Sequence, residues 1–212
     1  NGTCSEIVSS NVVTITVREL PVATIAGSTT VCSGSTATLT LNISNTYSQP
    51  WEITYLEGTT TKTVTGSATT ATITTSALTT NTDVTLQSIT LTGTSSSTNP
   101  LCSNTLSSTV TVNVNPNPNA TLNSVTSPVC QSTTANSSFS YTISSVSTGQ
   151  GWSLSYSVDG VSQTALTGTG SGTFTSPLTL NTPGSIKIKL TSISTTASSP
   201  NCTRSLNDSM NV

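Results

Sequence analysis

Histidine is absent from this chain and charge nearly so: Asp, Glu, Lys and Arg together make up 6% of its 212 residues, against roughly 25% in ordinary globular proteins. Without histidine no Ser-His-Asp or Cys-His arrangement can form, because its general base is missing. The basic residues Arg18, Lys62, Lys187, Lys189 and Arg204 are scattered along a chain of net charge −2, which excludes a nucleic-acid surface built on clustered cations. No apolar run approaches the roughly 18 residues of a membrane-spanning helix, so no membrane span is expected here. Aromatics are only 4%, and the core must be assembled largely from Val, Ile and Leu. There is no C-x-x-C pair to found a zinc site.

What fills the chain instead is Thr and Ser, with Gly, Asn and Pro between short alternating stretches. Thr is β-branched and suits strands, Gly, Asn, Pro and Ser suit turns, and no stretch has helical periodicity. The fold class expected is all-β. A repeat organises it: Cys4 to Cys102 is 98 residues, Cys102 to Cys202 is 100, and Cys32 to Cys130 is 98. A period of that size means tandem domains. The joint VRELP (17–21) recurs as VNPNP (114–118), which divides the chain into the last strand of a preceding repeat (1–18), one repeat (19–116) and a second (117–212). Within the first repeat, strands are expected at 21–27, 35–43, 50–57, 61–65, 70–75, 83–92 and 108–114. The parity change between Leu86 and Ile89 marks a bulge. About seven strands per repeat, with turns roughly every ten residues, read as a tandem series of immunoglobulin-like β-sandwiches set end to end, the proline joints keeping neighbours in line.

The cysteines fall into equivalent pairs, one per repeat: Cys32 with Cys102 and Cys130 with Cys202, with Cys4 left to a cysteine upstream. Cys32 precedes its strand and Cys102 follows a long polar segment, so the bridge is expected to tie loops at one end of a sandwich near a junction. Disulfides imply an oxidising, extracellular location. A loop of about 70 residues would stabilise each domain by about 4 kcal/mol in the chain-entropy account.

Chemistry finds few candidates. Glu52 and Glu57 are the only neighbouring acids in a complete repeat, and Glu52 points away from Trp51 and Tyr55 into solvent. The isolated Asp83, Asp159 and Asp208 do not make a calcium cluster. Trp51, Ile53 and Tyr55 alternate, as do Trp152, Leu154 and Tyr156, so Trp51, Trp152, Tyr55 and Tyr156 are assigned to the core. Tyr47 remains as the exposed aromatic. No catalytic residue, metal site or cofactor is expected, and the chain reads as a non-enzyme.

The combination of V-C-S-G before a strand, P-W-E-I-T-Y-x-E-G, L-Q-S-I-T, and N-P-L-C ahead of T-V-T-V-N-V resembles the immunoglobulin-like or PKD-like repeats of Bacteroidota surface proteins, including gliding-motility adhesins exported by type IX secretion. That resemblance implies a cell-surface structural role, with adjacent repeats of the same chain as partners and surface glycans or other cell-surface proteins as further candidates. It also makes Ser209, in Asp208-Ser209-Met210, a candidate O-glycosylation site of the Asp-Ser/Thr-hydrophobic type. The expected function is the extended shaft of a large secreted adhesin or filament. Two alternatives are a glycan-binding module of a secreted enzyme and a filament subunit that exchanges strand 1–17 with a neighbour.

Overall fold

The computed structural model describes residues 17–27, 30–95, 101–127, 130–132, 134–135, 137–180 and 183–211. Most of the strand expected at the start of the chain, and Cys4 with its pairing, lie outside these residues. Every described element is a β-strand.

The first half holds nine: β1 (Val22–Gly27), β2 (Thr30–Cys32), β3 (Thr38–Ser44), β4 (Trp51–Glu57), β5 (Thr60–Gly66), β6 (Thr70–Thr74), β7 (Thr82–Leu91), β8 (Ser103–Thr105) and β9 (Thr109–Asn115). One sheet has the order β1-β3-β6, the other β2-β9-β7-β4-β5 with β8 also on β7. Strict alternation sends Leu39, Leu41 and Ile43 inward from β3, and Trp51, Ile53 and Tyr55 inward from β4. Side chains on a strand face opposite sides in turn, so one set faces the other sheet and the Thr-rich set faces water. On β7 the alternation breaks: Thr54 pairs with Ser88 but Tyr55 with Leu86. Gln87 is therefore the extra residue of a bulge, which lets Val84, Leu86, Ile89 and Leu91 all reach the core.

The second half adds β10 (Asn119–Val125), β11 (Ser137–Ser144), β12 (Gly151–Val158), β13 (Val161–Ser162), β14 (Leu166–Thr169), β15 (Gly172–Leu178), β16 (Lys187–Thr196), β17 (Thr203–Ser205) and β18 (Ser209–Asn211). Its sheets run β10-β11-β15 and β13-β12-β16-β17, with β14 on β12 and β18 on β16. A second bulge places Thr191 between the pairs Ser155–Ser192 and Tyr156–Leu190. A separate apolar cluster fills this sandwich. Phe139 and Tyr141 stand on β11 where the first half has Leu39 and Leu41 on β3. Tyr141 meets Trp152 edge-on at 6.1 Å, and Phe174 meets Trp152 at 5.0 Å between ring centroids.

One packing device occurs in both sandwiches. Trp51 pairs across the sheet with Gly66, and Trp152 with Gly168. A Cβ on Gly66 would lie 2.6 Å from the Trp51 ring, and one on Gly168 would strike the Trp152 ring. Each indole thus packs against a backbone position where a side chain would leave it no room. The tight turns also follow their residues. Asp159 and Gly160, at φ 47° and 80°, close the β12–β13 hairpin as a two-residue turn whose twist matches the strands it joins.

Candidate functional site

The two sandwiches are joined covalently as well as through the chain, and the covalent tie lies at the joint between them. The first sandwich is left through β9 and the second entered through β10, with only Pro116, Asn117 and Pro118 between, and proline fixes φ at two of those three positions. Beside β9 runs β2, parallel, with Cys32 opposite Asn115. The Ser33 N–H donates to the Asn115 carbonyl at 2.9 Å, and the Asn117 side-chain amide donates to the Ser33 carbonyl at 2.9 Å. From the second sandwich the β16–β17 connection reaches the same place. The Thr195 N–H donates to the Cys202 carbonyl at 2.8 Å, while the Cys202 N–H donates to Thr195 Oγ1 at 2.8 Å. The peptide between Ser199 and Pro200 is cis. Cys32 and Cys202 are joined in a disulfide, Cα atoms 5.5 Å apart, across 170 residues of chain.

This corrects the pairing expected from the repeat. Cys32 is not bonded to Cys102, nor Cys130 to Cys202, and strand length is the reason. In the first sandwich, Thr82 at the start of β7 pairs with Val112, near Cys32, while Leu91 at its other end donates to the Cys102 carbonyl. Ten residues of strand span about 33 Å, whereas a disulfide needs Cα atoms within about 7 Å. In the second sandwich Cys202 sits by Thr195, next to the joint. The Ser132 N–H donates to the Leu180 carbonyl beyond the far end of β15, which puts the Cys130 segment at the opposite pole. Equal spacing allows pairing within repeats or across a joint, and only the position of the poles decides. Cys102 remains a half-buried thiol packed against the first core.

The remaining candidates resolve individually. Trp51 and Trp152 are fully buried, their indole N–H groups donating to the carbonyls of Ala68 at 2.9 Å and Gly170 at 3.0 Å. Neither presents a face to a sugar. Tyr55 is buried too, and Tyr156 is half-buried against Phe139. Tyr47, expected to be the exposed aromatic, is half-buried instead. The Arg18 guanidinium covers its ring at 4.2 Å, and its hydroxyl donates to the Glu19 carbonyl at 3.2 Å. The ring holds Arg18 and Glu19 of its own chain. The three aspartates are each held locally: Asp83 accepts from the Thr111 hydroxyl, Asp159 from the Lys187 N–H, and Asp208 from the Leu122 N–H. Among the described residues no three potential ligands gather for a metal. Ser209 is exposed on β18.

Glu52 is half-exposed, but Glu57 is buried, a feature missed in reading the sequence. It accepts from Lys62 Nζ at 2.9 Å, and the Ser76 N–H lies 3.1 Å from both of its oxygens. Burial works to raise this carboxyl, but the bonds from Lys62 and Ser76 outweigh it and hold it below the ordinary carboxylate range. The signal was available, since Glu57 shares the parity of Trp51, Ile53 and Tyr55.

No family model matches the chain, and no curated protein matches it. Among solved structures it is similar to a 1.5-MDa bacterial ice-binding adhesin studied for its retention at the host cell surface, at 14% identity and TM-score 0.43. That match covers 91% of this chain and 65% of the adhesin chain, so this chain spans about two thirds of its neighbour. It is also similar to the ligand-binding domain of human OSCAR, at 14% identity and TM-score 0.30, covering 93% and 100% respectively. Superposition at these levels carries no functional argument.

Proposed function

We propose that the chain is a structural segment of a secreted bacterial surface protein, a stretch of tandem immunoglobulin-like repeats forming the shaft of an adhesin or filament. It is not an enzyme in this reading, and its partners are the repeats on either side. The observation that supports it best is the Cys32–Cys202 bridge. A covalent tie placed where two sandwiches meet, beside a joint of three residues, restrains movement between neighbours and so suits load-bearing. The bridge also favours an oxidising, extracellular setting. The hydroxyl-rich outer faces and the inward indoles fit a spacer better than a sugar platform.

Small-angle scattering before and after reduction tests the reading, with a glycan array as its counterpart. The ten-residue β7 spans about 33 Å at about 3.3 Å per residue. Two sandwiches in line with their loops should therefore give a maximum dimension near 80 Å when oxidised, and a broader distribution once the bridge is cut. The array should stay blank. Saturable binding of the oxidised chain to one glycan class would move the protein to the sugar-binding alternative.

A further inference from the structure

We propose that the Cys102 thiol is the receiving half of a second bridge of the same kind, taking the first cysteine of a preceding repeat. The inference rests on the tandem-repeat reading above and extends it to a specific covalent contact. Cys102 occupies the same backbone frame as the bonded Cys202. The Leu91 N–H donates to the Cys102 carbonyl at 2.9 Å, as Thr195 does to Cys202 at 2.8 Å. β8 lies on β7 as β17 lies on β16. The bulge carbonyls of Gln87 and Thr191 accept from Leu106 and Leu206, each at 2.8 Å.

Independent contacts show where a preceding unit would sit. Segment 18–21 is already seated at the Cys102 pole: Asn104 donates to the Pro21 carbonyl at 3.0 Å, Asn45 to Leu20 at 3.1 Å, and Tyr47 to Glu19 at 3.2 Å. In the alignment of VRELP with VNPNP, Arg18 stands where Asn115 does. Asn115 is the residue opposite Cys32, and its carbonyl lies 4.0 Å from Cys202 Sγ. An upstream sandwich built like the first would therefore bring its own β2 cysteine opposite Arg18 and beside Cys102. The exposures agree: Cys202, covered by its partner sandwich, is buried, whereas Cys102 is half-buried.

Bond formation is an oxidation. The two thiols lose two protons and two electrons to a disulfide oxidant, which leaves as two thiols. The test extends the chain by one unit, placing a copy of residues 17–113 directly ahead of Val17. The copy carries Thr38→Ser as a mass marker and Cys102→Ser so that Cys102 and Cys202 of the parent segment are the receiving thiols. After oxidation with glutathione disulfide, alkylation and non-reducing peptide mapping should show the copy's Cys32 joined to Cys102, with Cys32–Cys202 retained and alkylation of Cys102 nearly abolished. A folded extended chain in which Cys102 is still alkylated, or is bonded within its own sandwich, overturns the bridge. If the copy behaves as an independent bead cut freely from the rest by protease, the array reading fails as well. Should the extended chain not fold, the same map on full-length protein taken unreduced from its own cell decides between these outcomes.

Discussion

Pulling the chain by its two ends separates a bridge across the joint from bridges within repeats. Fully extended, 212 residues reach about 700 Å at about 3.3 Å per residue. The Cys32–Cys202 bond short-circuits 170 of them, leaving about 42 residues and about 140 Å of extensible chain. Two bridges within repeats, closing 70 and 72 residues, would instead leave about 70 residues, or about 230 Å. In the oxidised protein the load passes along residues 1–32, through the bridge and out through 202–212, so most of both sandwiches lie off the force path. Reduction should release about 560 Å of additional extension, read as full-length unfolding steps by atomic force or optical trapping in reductant. The same loop sets the bridge's stabilisation at about 5 kcal/mol in the chain-entropy account, against about 4 for a loop of 70. Oxidised traces that total about 230 Å, or extensions identical with and without reductant, would refute the cross-joint load path.

Three further outcomes follow from the described contacts. Gly66→Ala should cost about 1–3 kcal/mol by forcing a methyl into the Trp51 ring, seen as a lower urea midpoint with a changed tryptophan emission, whereas Gly149→Ala, at φ +79° in open space, should cost backbone strain alone and leave the emission of both indoles unchanged. Glu57 is held below its unfolded pKa, so its contribution is present above about pH 4.3, the unfolded value, and is lost as pH falls through the folded pKa. The urea midpoint should fall across that acid window, and Glu57→Gln should flatten the profile. Tyr47→Ala removes the ring under Arg18 and the bond to Glu19, and should speed tryptic cleavage after Arg18 while leaving cleavage after Lys189 unchanged.

Much of the architecture was legible because β-structure writes itself locally. The alternation through Trp51, Ile53 and Tyr55 and the broken parity from Leu86 to Ile89 are properties of a few adjacent residues. The burial of Glu57 is equally legible by parity, since it shares a strand face with Trp51, Ile53 and Tyr55. Its partner Lys62 lies across the hairpin closed by Gly58, and a charge without a known partner reads as solvated. The covering of Tyr47 is hidden for a similar reason. Nothing local says that residues 18 and 19, 28 or more positions earlier, fold back over its ring.

By itself the sequence determined the all-β class, the spacing of its cysteines, and which residues on each strand share a face, since those depend on a period of two and on turn chemistry. Only the tertiary structure decided which cysteines meet. Poles of one sandwich stand a whole strand apart, while facing poles of neighbours come within the few ångströms that a sulfur–sulfur bond can span. Distance along the chain contains no record of that.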